Sequence, residues 1–119
     1  MSYSIYIFHP EVKQRVDSGL EIDEFEHPPL NPSEVAVFLE RLETYEYESE
    51  SKNPESTEYV KNVGGCPITV SIYNTEISFS VPFWEGSNEA IYEAIQDAIE
   101  LSDSDEMVLY DPQTEEWII

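Results

Sequence analysis

The stretch from Thr57 to Phe83 leaves this chain little freedom in what it can become. Ile68, Val70 and Ile72 alternate with Thr69 and Ser71, and Ile77, Phe79, Val81 and Phe83 alternate with Ser78 and Ser80. A period of two marks a strand with one face buried and one face wet or bound. Gly64-Gly65 and Asn74-Thr75 divide the stretch at hairpin spacing, so Thr57–Val63, Pro67–Tyr73 and Glu76–Phe83 are expected to form an antiparallel meander. A slip of one residue in the last run would bring four large apolar side chains into water, which pins the register.

The flanking segments read as further elements. Ser2–Phe8 is apolar on both faces, as suits a central strand. His9-Pro10 closes it, a short helix is expected over Pro10–Asp17 with Gly19 as its stop, and an acidic connector runs on to His27-Pro28-Pro29. Asn31 is a good N-cap, Pro32 suits the first helical position and Glu34 completes a capping box. Val35, Phe38, Leu39 and Leu42 then make one apolar stripe, so a helix is expected to about Thr44. Tyr45–Glu48 alternates in the manner of a strand, and Ser49–Ser56 reads as an exposed polar loop. A second main helix is expected over Ser87–Leu101, capped by Ser87 and buried along Ile91, Ala94, Ile95, Ala98 and Leu101. After an acidic loop, Ser102–Glu106, come a short strand at Met107–Tyr110, a type I turn at Asp111-Pro112-Gln113-Thr114 and a terminal strand at Glu115–Ile119. The expected architecture is a single α+β domain over residues 1–119. It is a two-layer sandwich: a mostly antiparallel sheet of five or six strands with two main helices packed on one face.

Charge is what sets this chain apart from an ordinary small domain. Twenty-six Asp and Glu face five Lys and Arg, a net charge of −21. Solubility needs a magnitude of only about 2–8, and self-repulsion burdens the fold. The bases are Lys13, Arg15, Arg41, Lys52 and Lys61, and twelve acids follow Lys61 with no base among them. Nucleic acid and anionic membrane are excluded as direct ligands, because both need a cationic surface. A basic protein partner is favoured.

The second main helix concentrates the question. Glu89, Glu93, Asp97 and Glu100 are expected on the face opposite its apolar stripe, with no Lys or Arg to relieve them. Like charges four residues apart each cost roughly 0.2–0.5 kcal/mol. Asp103 and Asp105 extend the ridge. A solvated helix face is the plain reading; a partner-binding ridge is the functional one. A fold of this length spans roughly 35 Å, and duplex DNA of that length carries about 20 charges, close to the total here. The carboxylates are therefore able to stand in for a nucleic acid if they gather on one face.

Other chemistry finds little footing. Asp103, Asp105 and Glu106 lack the central Gly and distal Glu of a calcium loop. His9 and His27 stand in no metal-ligand spacing with Cys66, the one cysteine, which reads as a buried structural thiol. No Gly-rich phosphate loop or Ser-centred elbow is present. Tyr45, Tyr47, Tyr59, Tyr73, Trp84, Tyr92 and Trp117 often adjoin acids, as core packing or as aromatic anchors of an interface. No signal peptide or membrane span is evident, and a cytoplasmic location is expected.

Two ends of the chain carry a resemblance. Met1-Ser2-Tyr3 leading into an apolar strand, and Val108-Leu109-Tyr110-Asp111-Pro112-Gln113 at the close, resemble a set of small bacterial proteins. These have an MSY-type first strand and a late strand followed by YDPQ, and some are similar to immunity proteins, which neutralise a toxin by binding it. The resemblance covers about fifteen residues and implies no catalytic residue; the extreme acidity departs from the set. The resulting expectation is a non-enzymatic acidic protein that needs no cofactor or metal. It would occupy a basic surface on a nuclease toxin or nucleic-acid-binding protein through Glu89, Glu93, Asp97, Glu100, Asp103 and Asp105. The alternatives are a divalent-cation-binding or carboxylate-based enzyme, and an acidic domain with no polyanion-mimic role.

Overall fold

The computed structural model describes residues 2–22, 24–52, 57–82, 88–102 and 107–118. Its framework is one open antiparallel sheet of seven strands: β1 (Ser2–Phe8), β2 (Glu48–Lys52), β3 (Thr57–Val63), β4 (Cys66–Ile72), β5 (Glu76–Pro82), β6 (Val108–Asp111) and β7 (Glu116–Trp117). They lie in the order β2-β3-β4-β5-β1-β6-β7. Three helices complete the α+β fold: α1 (Pro10–Asp17), α2 (Pro32–Thr44) and α3 (Asn88–Leu101).

The expected meander is β3–β4–β5, with Thr69 opposite Ser80 and Val70 opposite Phe79. Its first turn places both Gly64 and Gly65 at positive φ, 59° and 82°, the backbone that a two-residue hairpin needs and that only glycine adopts freely. β1 sits inside the sheet, paired with β5 along its whole length and with β6 over Tyr6–Phe8. Its two apolar faces match that central place.

The count of seven strands corrects the expected five or six. The added strand is β2, which takes Glu48 from the end of the alternating run and residues 49–52 from the expected loop. Its sequence, Glu-Ser-Glu-Ser-Lys, carries no apolar side chain. It forms by pairing along β3 as an outer strand, with a register shift between Ser49 and Ser51. A charged, irregular edge resists further strand addition. Residues 53–56 of the expected loop lie outside the described residues.

The main core gathers on one face of the sheet. Ile5, Ile7, Ile68, Val70, Ile77, Phe79, Val81 and Leu109 meet Phe38 and Leu42 of α2 and Ala90, Ala94, Ala98 and Leu101 of α3. Phe38 stands edge-on to Phe79 at 6.2 Å. Asn31 caps α2 as expected, its side-chain oxygen accepting from the Ser33 amide at 2.9 Å. Ser87 and Phe83 lie outside the described residues. α1 is capped by His9, whose Nδ1 accepts from the Glu11 amide at 3.0 Å.

The opposite face of the sheet is also dressed, so two helices on one face is an incomplete picture. Phe8 and Val12 are buried outside the main core cluster. Tyr6, directly across from Tyr110, shares this second face with Phe8. His27 of the connector packs edge-on to Phe8 at 4.9 Å, and Trp117 lies 6.5 Å from the same ring.

The two ends of the chain are clasped. The Tyr3 hydroxyl donates to Asp111 Oδ2 at 2.6 Å. Asp111 Oδ1 accepts from the Gln113 backbone amide at 2.9 Å. The Gln113 side chain in turn donates to the Ser4 carbonyl at 2.7 Å and accepts from the Ser4 amide at 2.9 Å. It thereby pairs with β1 beyond the point where β6 stops. Burial, then the bond to Asp111, pushes the Tyr3 phenol up to about 12. The Tyr-Asp-Pro-Gln turn and the first strand thus form one structural unit.

Candidate functional site: an acidic cleft beside the third helix

α3 is turned about its axis from the expected orientation. The sheet-facing line is Ala90, Ala94, Ala98 and Leu101, with Asp97 buried beside it. Ile91, Ile95 and Ile99 are only partly buried against the core. At 100° per residue the buried line is displaced by roughly 50° from the expected stripe. Small alanines let the helix backbone approach the sheet, so they occupy the contact line and the isoleucines move to its flank.

This rotation breaks the expected ridge. The outermost line of α3 is Asn88, Tyr92, Gln96 and Glu100, with Glu89 also exposed and Glu93 half-buried. Asp97 is only 4% exposed, so its place on an open acidic ridge is corrected. Asp103 and Asp105 lie outside the described residues, as does Glu106. The Glu89 carboxylate lies by the β3–β4 turn, where a Cβ on Gly64 would come within 3.4 Å of Oε2.

What takes Asp97 inward is Lys61. Tyr59, Lys61 and Val63 lie opposite Val70, Ile68 and Cys66, so Lys61 occupies the buried phase of β3. Its side chain is 12% exposed. Its Nζ donates to Asp97 Oδ2 at 2.7 Å, stands 3.7 Å from Glu93 Oε2 and lies 4.9 Å from the Tyr47 ring centroid. The Tyr47 hydroxyl donates to the same Asp97 oxygen at 2.9 Å. Burial, then the Asp97 and Glu93 charges, drives the Tyr47 phenol far above its ordinary range. A charge at this depth needs partners on every side, and the cluster supplies them. No buried side-chain nitrogen or oxygen among the described residues lacks a hydrogen bond.

Around this cluster opens a shallow cleft of about 390 Å³, lined by Thr44, Tyr45, Glu46, Lys61, Glu93, Asp97 and Glu100. Among the described residues four lining carboxylates face one lining cation. Burial first, and then the carboxylates of Glu100 and Asp97, hold the Tyr45 phenol above its usual value, while Arg41 acts the other way. The Arg41 guanidinium also donates to the Leu101 carbonyl at 3.3 Å, placing a cation at the C-terminal end of α3. Glu46 adopts φ 69° just past the end of α2, where the Tyr47 amide reaches back to the Leu42 carbonyl at 3.1 Å. That is the left-handed closing position usually given to Gly or Asn.

Sequence reasoning missed Lys61 and Glu46, and it left Tyr47 between core packing and an aromatic anchor of an interface. The signal for Lys61 was present: a lone base in the apolar phase of an alternating strand requires a buried carboxylate. The remaining candidates fall elsewhere. Cys66 and Tyr59 are buried, Tyr92 is 68% exposed, and Tyr73 lines an apolar groove with Leu30, Val35 and Leu39. Trp84 is outside the described residues. Among the described residues no three His, Cys, Asp or Glu side chains gather as a metal-binding group, and no helix is long and apolar enough to cross a membrane. The chain matches no family model, no curated protein and no solved structure.

Proposed function

We propose that this chain is a non-enzymatic, cytoplasmic acidic binding protein that occupies a basic surface on a protein partner, in the manner of an immunity-type or nucleic-acid-mimic inhibitor. In this reading α2 and α3 form one layer over the main core face, and the cleft at the flank of α3 is the contact region. The observation that carries the reading is the state of Lys61. Among the described residues Lys61 is the one cation lining the cleft, and it is already shared between Asp97 and Glu93, so no lining base among them is left for Glu46 or for Glu100, which is hydrogen-bonded to the Tyr45 phenol. Glu89 extends the negative surface toward the β3–β4 turn. Of the expected contact residues, Glu89, Glu93 and Glu100 keep that role; Asp97 acts by holding Lys61 in place. Self-repulsion on this flank costs stability that a basic partner would return on docking, and the same field would steer its approach.

The test is parallel affinity capture from cell extract by the wild type and by E46Q/E93Q/E100Q, at low and at high salt. A nuclease or nucleic-acid-binding protein should be retained by the wild type, released by salt and lost by the triple variant. An identical set of captured proteins on both baits overturns the reading.

A further inference from the structure

A second cleft, on the opposite face of the sheet, is built from different chemistry. It encloses about 500 Å³ between the end of α1 and the β6–β7 hairpin, within the 300–1,000 Å³ typical of small-molecule sites. Val16, Leu20 and Ile22 give it an aliphatic wall, and Leu20 is left exposed there. Tyr110 and Trp117 give it an aromatic wall, their ring centroids 4.8 Å apart and their planes tilted by 55°. Phe8 supports Trp117 edge-on, with planes 70° apart, so the indole is fixed from the sheet side. Among the described residues two carboxylates, Glu21 and Glu115, complete the lining, with no Lys or Arg beside them.

The composition of the cleft selects the ligand. Aromatic faces attract a cation electrostatically, with Trp the strongest. Glu115 adds full negative charge at the rim, close enough to the Tyr110 phenol to help raise its pKa after burial. The aliphatic wall offers nothing to an N–H donor but good contact to methyl groups. A primary ammonium or a guanidinium would find its acceptors at Glu21 and Glu115 but gain little from the aliphatic and aromatic walls, whereas a quaternary ammonium, which donates no hydrogen bond, carries charge and apolar surface together and can use both. We propose that this cleft binds a quaternary ammonium group, seated against Trp117 and Tyr110 and balanced by Glu115 and Glu21. The site is independent of the acidic cleft.

The test is a titration of the full chain with choline and with its uncharged isostere 3,3-dimethylbutanol, at constant ionic strength, following the Trp117 indole N–H by ¹H–¹⁵N NMR. Choline should give a saturable shift, and the isostere should bind at least roughly tenfold more weakly. Trp117→Ala should abolish the choline response of neighbouring amides. Glu115→Gln, which leaves the aromatic packing intact, should weaken choline binding by roughly threefold or more, while E46Q/E93Q/E100Q should leave it unchanged. Equal binding of choline and the isostere would reduce the cleft to an apolar pocket, and a linear, unsaturating shift would reduce it to a diffuse ion atmosphere. Choline binding untouched by Glu115→Gln would remove the carboxylate from the site. Each of these three results overturns the proposal.

Discussion

Removing the Lys61 ammonium should destabilise the fold more than removing the Asp97 charge. In Lys61→Met, Asp97 stays buried at 4% exposure with the Tyr47 hydroxyl as its remaining donor at 2.9 Å. The Glu93 carboxylate, which shared the same cation, is left nearby. Deleting one member of a fully buried pair costs about 3–5 kcal/mol. The Lys61 side chain retains 12% exposure at an open cleft, and solvent screening there brings the expected loss to about 2–4 kcal/mol. In Asp97→Asn the Tyr47 bond persists, and Lys61 keeps Glu93 at 3.7 Å and the Tyr47 ring at 4.9 Å. The expected cost is therefore about 1–2 kcal/mol. The double variant should cost clearly less than the two single losses added, because it leaves no unpaired buried charge. Equilibrium urea unfolding at neutral pH and fixed salt measures all three. If Asp97→Asn costs as much as Lys61→Met, or the two losses simply add, the cluster does not work as described.

Three further outcomes are expected. Glu46→Gly should raise stability by about 0.5–1 kcal/mol in thermal unfolding, because glycine accepts the φ of 69° that strains a glutamate. The Tyr3 phenol titrates higher folded, at about 12, than its ordinary value of 10. The stability it contributes is whole below pH 10 and is lost as the pH rises toward 12. Tyr3→Phe should flatten that alkaline loss in a pH series of unfolding temperatures. Burial raises the Glu76 carboxyl, against a smaller opposing effect of His27, so folding disfavours its ionised form relative to the unfolded chain. Its contribution is present below the ordinary carboxylate range and is lost as the pH climbs through the raised value. Glu76→Gln should therefore raise the unfolding temperature at pH 7 and change it little at pH 4.

The sequence revealed elements where local pattern and burial agree. β3, β4 and β5 were legible because Ile68, Val70, Ile77, Phe79 and Val81 alternate with small polar residues and are buried as that pattern requires. α2 was legible from Asn31-Pro32 and the Phe38–Leu42 stripe. β2 was not, because nothing in Glu-Ser-Glu-Ser-Lys signals burial; it is a strand only because β3 offers an open edge. The acidic face of α3 was half legible. The wheel placed Glu89, Glu93 and Glu100 outside, but it weighted Ile91 and Ile95 by hydrophobicity and overlooked Ala90, whose smallness fixes the line of closest approach. That error moved Asp97 from the core margin to the surface. The clasp between Tyr3 and Asp111 joins residues 108 apart, and no local pattern in the sequence links them.

An organised acidic surface must respond to where charge is removed as well as to how much. The most direct measurement is the association rate of an arginine-rich peptide with two variants that each lose three carboxylates: E46Q/E93Q/E100Q around the acidic cleft, and D17N/E24Q/E26Q at exposed positions on α1 and the connector. The cleft variant should associate at least roughly tenfold more slowly than wild type at low salt and lose most of the salt dependence, while the control should stay within about twofold. Equal slowing in both variants would mean that the protein acts only through its total charge, with no built surface.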